Sequence, residues 1–597
     1  MTAHRVLDPR TKLTPPPADL LGESSASRDR TPAQKKGGDA AAAAEHSPPH
    51  PVTVSRAGLG RLRVGAELSV LCQTLDANGC GVARAVDAVR QGSGGTPPSP
   101  QVHVPNLLPG ERAYVKVVHV SPHVGHAGTR AEERTPDSPQ RPAFARLLRR
   151  DSAAPERQIP ACGAFGFCGG CTLQHLRYEA QLEFKQGLLR KELGRVAAEA
   201  EVDPCVPSPQ PLHYRSRVKL VAAPAGGPDA ASRPDPGRII LGAYAPRSHQ
   251  VIDLSGCQVN TLALRQVART LSEKWSAAGL SVYEEESGRG ALRYVLLRAV
   301  HSGAVQVSLV VAEAPPRQLL LAVVAALQAA HPQLESVVLH HNSDPGNALL
   351  TAGDGSEEPR RAAKSVNAEP LLGAEPSLPR PGPGPLDQVL LGSEFLYEDL
   401  GGGPAGAELR VRVSARSFLQ VNRGVASRIY ADVAAALPVA AGETILDLYC
   451  GVGALGRTVL AAGAAARLIG IESNPSAVSD AQHSAREAGL SCDQAQFVCG
   501  AVEEVLPQLF PAGQARPPLL VLLNPPRRGC TEAVLQAVVS LAPRAIAYVS
   551  CNPQSLARDL GRLLAAGYKL RRATPYDMHP GTPHIETVAL LERIFLP

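Results

Sequence analysis

Hydrophobic and polar positions change their rhythm several times along the chain of 597 residues. From residue 64, short apolar runs at 67–71, 79–83, 101–104 and 112–120 are separated by Gly and Pro. Closely spaced strands with glycine turns predict a small, OB-like β-barrel over 61–150. Residues 173–193 carry apolar positions at helical spacing and predict an amphipathic helix. Tyr214-Arg215-Ser216-Arg217-Val218-Lys219-Leu220 alternates basic and apolar residues, as a strand with one cationic face does. A β-type run at 239–244, a hairpin-like pair at 292–300 and 304–311, and an apolar helix at 317–330 make 151–350 an α+β domain. Over 387–597, strand-type runs (444–449, 468–472, 519–523, 545–549, 588–591) alternate with helix-type stretches such as 554–564. That alternation predicts a doubly wound, Rossmann-like α/β domain with a parallel sheet.

Composition changes this picture in places. The chain holds 54 Gly and 54 Pro, concentrated between the periodic segments. Residues 1–60 and 351–386 are too poor in apolar side chains to offset the entropy of ordering, so both are expected to be disordered. The tracts 92–100, 123–142 and 222–236 read as loop or low-complexity insertions. A formal net charge of +6 permits a polyanionic partner without requiring one. The longest apolar helical run, 319–330, includes Gln328 and is too short to span a bilayer, which points to a soluble protein with no membrane partner. Residues 1–60 lack the apolar core of a secretory signal, and their acids suit a transit peptide poorly. The expectation is a cytoplasmic monomer, or an organellar one (mitochondrion or plastid) if that extension is a targeting segment. Twelve cysteines without a dense framework suit a reducing compartment, where thiols serve metals or catalysis.

The chemistry gathers at two places. Cys162, Cys168 and Cys171 form a C-x5-C-x2-C cluster among glycines, and Cys257, after a β-type run, is the best fourth thiolate. Four thiolates suit zinc or an iron–sulfur cluster. The spacing is neither the paired CxxC of a zinc ribbon nor CxxxCxxC, and so favours [4Fe–4S]. The second place is the carboxyl edge of the C-terminal sheet, where ligands bind in open α/β folds. Asp447 lies in the first strand, Gly451-Val452-Gly453-Ala454-Leu455-Gly456 turns after it, and Glu472 ends the second strand. Read bare, this also fits a dinucleotide site. A carboxylate within the first strand instead suits a cationic, methionine-derived cofactor, with Glu472 placed for ribose hydroxyls. Cys551 follows the run 545–549 and precedes an Asn-Pro helix start, and a helix N-terminus tends to favour a thiolate.

Taken together, Asp447-Leu448-Tyr449-Cys450-Gly451-Val452-Gly453, Ser417-Phe418-Leu419-Gln420-Val421-Asn422, Asn524-Pro525-Pro526-Arg527, Ser550-Cys551-Asn552-Pro553, Asp577-Met578 and His584-Ile585-Glu586-Thr587 resemble the motifs of the RNA uracil-5 methyltransferase family. The likeness is to its iron–sulfur branch acting on large-subunit ribosomal RNA, and it runs from about residue 64 to 593, interrupted by the inserts. The four cysteines match that branch's cluster ligands, and the barrel resembles a TRAM domain. The resemblance implies S-adenosylmethionine held by Gln420, Tyr449, Gly451, Gly453 and Glu472, with Asp447 and Asn524 beside it. It also implies Cys551 as the nucleophile toward uracil carbon 6, Glu586 as the base, and ribosomal or transfer RNA as substrate. Asn524 departs from the family's usual Asp-Pro-Pro-Arg; the amide keeps the shape and loses the charge. That departure leaves an iron–sulfur RNA-binding or folding factor with a silent transferase as one alternative. A cytosine-5 RNA methyltransferase is the other, although Arg527 stands where that family carries a second cysteine.

Overall fold

The computed structural model describes residues 62–86, 101–121, 143–197, 199–226, 237–246, 248–343, 387–402, 408–463, 466–511 and 519–594. The expected disordered or inserted tracts 1–60, 92–100, 123–142 and 351–386, and most of 222–236, lie outside the described residues.

Strands β1 (Glu67–Leu75), β2 (Gly81–Ala85), β3 (Gln101–Val104), β4 (Arg112–Val120) and β5 (Ala143–Arg150) close a barrel in the order β1-β2-β3-β5-β4. Its core is the inward alternation of Val70, Val102, Val104 and Val115. Strand β5 had no sequence signal, because Ala-Phe-Ala-Arg-Leu-Leu-Arg-Arg lacks a period of two. It is made a strand by its partners, β3 on one side and β4 on the other. The turn after β1 lies against the cysteine segment, where Thr172 Oγ1 donates to the Asn78 carbonyl at 3.3 Å.

Helix α1 (Tyr178–Leu193) starts five residues later than its periodicity predicts. The backbone before it is engaged elsewhere: the Thr172 and Leu173 amides both donate to the Gly581 carbonyl, at 3.0 and 2.8 Å. The central sheet follows, formed by β6 (Arg217–Pro224), β7 (Ile239–Tyr244), β8 (Val251–Asp253), β9 (Leu292–Ala299), β10 (Val305–Val311), β11 (Leu334–His341) and β12 (Asp387–Gly392). Its order is β12-β11-β10-β9-β6-β7-β8. Helices α2 (Leu262–Ala277) and α3 (Arg317–Ala330) bury Trp275, Leu271, Leu320 and Leu327 against one face. Strand β12 therefore belongs to the central sheet although it follows the 351–386 tract.

After the two-stranded ribbon β13 (Phe395–Gly402) and β14 (Glu408–Ser414) comes helix α4 (Arg423–Ala436), then the expected alternation. It runs β15 (Thr444–Leu448), α5 (Ala454–Ala462), β16 (Arg467–Glu472), α6 (Pro475–Glu487), β17 (Ala495–Cys499), α7 (Val502–Leu509), β18 (Leu519–Leu523), α8 (Glu532–Leu541), β19 (Ala545–Ser550), α9 (Pro553–Ala565), β20 (Tyr568–Tyr576) and β21 (Glu586–Arg593). The sheet order is β17-β16-β15-β18-β19-β21-β20, with β15 to β19 parallel and β21 antiparallel to both neighbours. Alternate residues of each strand feed two apolar layers: Ile445, Leu520 and Ala547 one way, Leu446, Val521 and Ile546 the other. The second layer also takes Leu189 and Leu193 of α1, so a helix that precedes the central sheet completes the C-terminal domain. Strand order reverses between β15 and β18, which opens a crevice at their carboxyl ends. Among the described residues no helix is long and apolar enough to cross a membrane.

Candidate active site

That crevice is a cavity of about 940 Å³. Its wall includes the C-terminal residues expected to hold the cofactor or to react, Gln420, Asp447, Tyr449, Gly451, Glu472, Asn524, Cys551 and Glu586, but not Gly453. The floor is the turn after β15, where Tyr449, Gly451 and Gly453 all have left-handed backbone, φ 63°, 54° and 74°. A tyrosine in that region is strained, a feature that clusters at ligand sites. A Cβ on Gly453 would lie 2.7 Å from Phe497 Cε1, so this glycine shapes the turn from behind the wall. A Cβ on Gly451 would meet only the Phe418 carbonyl, at 3.9 Å, leaving its backbone open to a ligand.

Carboxylates hold this turn. Glu472, at the end of β16, accepts from the Gly451 amide at 3.1 Å with one oxygen and from the Asn474 amide at 2.8 Å with the other. Asp447 is buried; Oδ2 accepts from the Gly456 amide at 3.0 Å, while Oδ1 has no hydrogen-bond partner. Burial pushes the Asp447 carboxyl up to about 7, against the pull of the Gly456 amide. Asn524 follows β18 directly, and its backbone amide donates to the Leu448 carbonyl at 3.2 Å.

The opposite side carries the reactive groups. Cys551 follows β19, and Asn552 caps α9 by accepting from the Gln554 amide. Asn552 Nδ2 and Ser555 Oγ both donate to the Arg527 carbonyl at 3.0 Å, tying the Asn-Pro-Pro-Arg turn to the cysteine turn. Glu586, the first residue of β21, is only 2% exposed, and burial pushes its carboxyl up to about 8 while the Arg527 cation opposes the shift. The helix N-terminus does not lower the Cys551 thiol as expected: burial and the facing Glu586 push it up, and Arg527 pulls it back. One cation thus balances the two titrating groups. Arg527 Nη2 also lies 2.9 Å from His584 Nδ1. Burial pushes His579 down to about 3 and lowers His584 as well, so both rings are neutral near pH 7.

The loop 577–584, which carries those histidines toward Glu586, is clamped by the chain before the central sheet. Lys185 and Asp577 form an ion pair with no exposure on either side, and Lys185 Nζ also donates to the His579 carbonyl at 3.1 Å. Gln181 Oε1 accepts from the Gly581 amide at 2.9 Å, and Tyr214 OH donates to the Pro580 carbonyl at 3.2 Å. The cysteine segment abuts this loop and contributes Gly170 to the cavity wall. Cys162, Cys168, Cys171 and Cys257 are free thiols that act electrostatically on one another; burial, reinforced by the other three, pushes Cys171 up to about 12. Among the described residues no three His, Cys, Asp or Glu side chains are arranged to hold a metal ion.

The tRNA (uracil-5-)-methyltransferase family matches residues 519–594, which carry Arg527, Cys551 and Glu586. An RNA methyltransferase of Geobacter sulfurreducens is 32% identical over 545 residues, covering 91% of this chain and 93% of the relative. Another, from Halalkalibacterium halodurans, is 31% identical over 495 residues, covering 82% and 91%. The chain belongs to the RNA uracil-5-methyltransferase family. The fold of this RNA methyltransferase matches the structure of the tRNA (uracil-54, C5)-methyltransferase of Pyrococcus abyssi in complex with S-adenosyl-L-homocysteine. That match has a TM-score of 0.57 and 24% identity, and covers 88% of this chain and all of the other. Sequence reasoning placed the cavity-lining residues of the methyltransferase but missed Arg527 as its charge balance. The available signal was a cation directly after Pro525-Pro526 at a strand end.

Proposed function

We propose that this methyltransferase forms 5-methyluridine in RNA through a covalent adduct between Cys551 and uracil carbon 6. The observation that carries the reading is the meeting of Cys551, Glu586 and Arg527 in one cavity with the Gly451 turn and Glu472. Carbon 5 of uracil is a poor nucleophile. Addition of the Cys551 thiolate at carbon 6 pushes the ring's electron pair toward carbon 5 and makes it enolate-like. S-adenosylmethionine, when bound, supplies the electrophilic methyl group that carbon 5 takes. Glu586 then removes the proton from carbon 5, and the electrons left behind expel the thiolate and restore the ring. A carboxyl raised to about 8 is a stronger base than an exposed one, which suits this step. The uridine reaches the cavity by leaving its stack.

The cavity suits that cofactor on its own features: an unpartnered Asp447 oxygen, an open Gly451 backbone, and Glu472 and Gln420 on the wall. Asn524 would lie beside it, uncharged. By donor chemistry the four cysteines would suit a [4Fe–4S] cluster, although among the described residues no three of them are arranged to hold a metal ion. The cluster's part would be to hold the segment that buttresses residue 581. The TRAM-like barrel is the proposed RNA grip, and ribosomal RNA is the preferred substrate over transfer RNA; in the segment 214–219, Tyr214, Ser216 and Arg217 are engaged inside the protein, which leaves Arg215 and Lys219 as its candidate RNA contacts.

RNA carrying 5-fluorouridine tests the chemistry, because fluorine at carbon 5 leaves no proton for Glu586 to take. The wild type should form a denaturation-stable complex with it, and Cys551→Ala should not. Methyl label that appears only in cytidine, or turnover by Cys551→Ala, would refute the reading.

A further inference from the structure

The tripeptide Phe418, Leu419 and Gln420 walls the cavity, yet it belongs to no strand or helix. What fixes it comes from the central domain. At its C-terminal end, the Ser216 amide and hydroxyl both donate to the Val421 carbonyl, at 2.8 and 2.9 Å. At its N-terminal end, Arg298 Nη2 donates to the Ser417 carbonyl at 2.6 Å, and Arg217 Nη1 donates to the same oxygen at 3.2 Å. Arg217 Nη2 reaches the Ala415 carbonyl at 3.2 Å.

This is a costly arrangement. Arg217 and Arg298 stand directly opposite each other on β6 and β9, where like charges destabilise a sheet. Arg298 is 6% exposed, and its Nη1 is buried without a partner. Among the described residues neither guanidinium forms an ion pair with a carboxylate. The nearby buried acid Asp480 accepts instead from the Ser414 amide and from the Ser414 and Ser417 hydroxyls. Burial, then Arg217, pushes Arg298 down to about 9. A stability role alone is better served by apolar side chains of similar volume. Two cations converging on one carbonyl suit a different task, the fixing of a backbone that has no secondary structure of its own.

We infer that Arg217 and Arg298 are positioning residues for the cofactor: by gripping the Ser417 carbonyl they hold the Phe418–Gln420 wall, so cofactor affinity depends on the central domain. The inference rests on the cavity being the S-adenosylmethionine site. S-adenosylhomocysteine binding to the purified full chain, measured by calorimetry, tests both. The wild type should bind; failure to bind would overturn the cavity assignment and this inference with it. Given wild-type binding, Arg298→Met should weaken affinity by about ten- to a hundredfold, as for loss of a charge-assisted hydrogen bond. Its KM for S-adenosylmethionine should rise while kcat at saturation stays within about threefold. Arg298→Lys, which keeps a charged donor, should recover part of the loss. Should Arg298→Met not fold, Arg217→Gln removes one of the two grips at a less buried position and should show the same KM effect. A folded variant that binds within twofold of wild type, or that loses kcat with KM unchanged, would overturn the inference.

Discussion

Replacement of Lys185, which lies outside the cavity wall, by Met should loosen the loop that brings His579, Thr582 and His584 into that wall. Both members of the Lys185–Asp577 pair are fully buried, and Lys185 also donates to the His579 carbonyl. Removal of one partner from a buried pair costs about 3–5 kcal/mol, because the remaining charge loses its counter-charge and has no water; Asp577 keeps only the neutral Tyr178 hydroxyl beside it. At 1.36 kcal/mol per tenfold, the equilibrium for local opening rises by roughly two to nearly four powers of ten. Native-state amide exchange read by mass spectrometry suits the question, since a multidomain chain has no single unfolding constant. The reporters are the Asp577 amide, bonded to the Val206 carbonyl at 2.9 Å, and the Gly581 amide, bonded to Gln181. Asp577→Asn should recover much of the loss when combined with Lys185→Met, because no buried charge is left. Exchange within threefold of wild type in Lys185→Met, or a double variant as open as the two single losses combined, would refute the reasoning.

Two further outcomes follow from the cavity. Glu586 accepts a proton only when ionised, so kcat should fall about tenfold per pH unit below about 8; a flat profile from pH 6 to 8 would remove it as the base. Its raised carboxyl binds a proton more tightly folded than unfolded. That contribution is intact at low pH and lost as pH climbs from the ordinary value of 4.5 through about 8, so Glu586→Gln should gain on the wild type in urea midpoint over that range. Gly453→Ala combines a left-handed φ of 74° with the Phe497 clash and should cost the C-terminal domain about 1–3 kcal/mol, seen as a lower midpoint of that domain's own thermal transition. An unchanged midpoint would show that the turn can relax.

The strands that carry the site were legible because each announces itself locally. β18 is five apolar residues followed at once by Asn524, and β19 ends where Ser550 and Cys551 break the apolar run. Polar residues at strand ends and glycines in the first turn gave the cavity wall. Features built from distant partners were not legible. Lys185 looks like any helical lysine until Asp577, 392 residues away, faces it. Arg217 reads as one of the alternating basic positions of 214–220 and Arg298 as part of a hairpin-like strand, with nothing to say that both point at one carbonyl. Strand β5 and the late start of α1 fail for the same reason, since their backbone hydrogen bonds are fixed by chain that lies elsewhere in sequence.

The docking of α1 onto the C-terminal sheet has a consequence for how the protein is made. Leu189 and Leu193 leave the ribosome long before β20 and α9 exist to cover them. At about 5–20 residues per second, the 392 residues between Lys185 and Asp577 correspond to roughly 20–80 s of exposure for the apolar face of an amphipathic helix, with a charged residue awaiting its partner. The central sheet can assemble within that interval, since all its strands are translated first. The last strands then close a ring of contacts begun hundreds of residues earlier, which places the vulnerable moment of this chain during translation and makes the order of synthesis part of its folding problem.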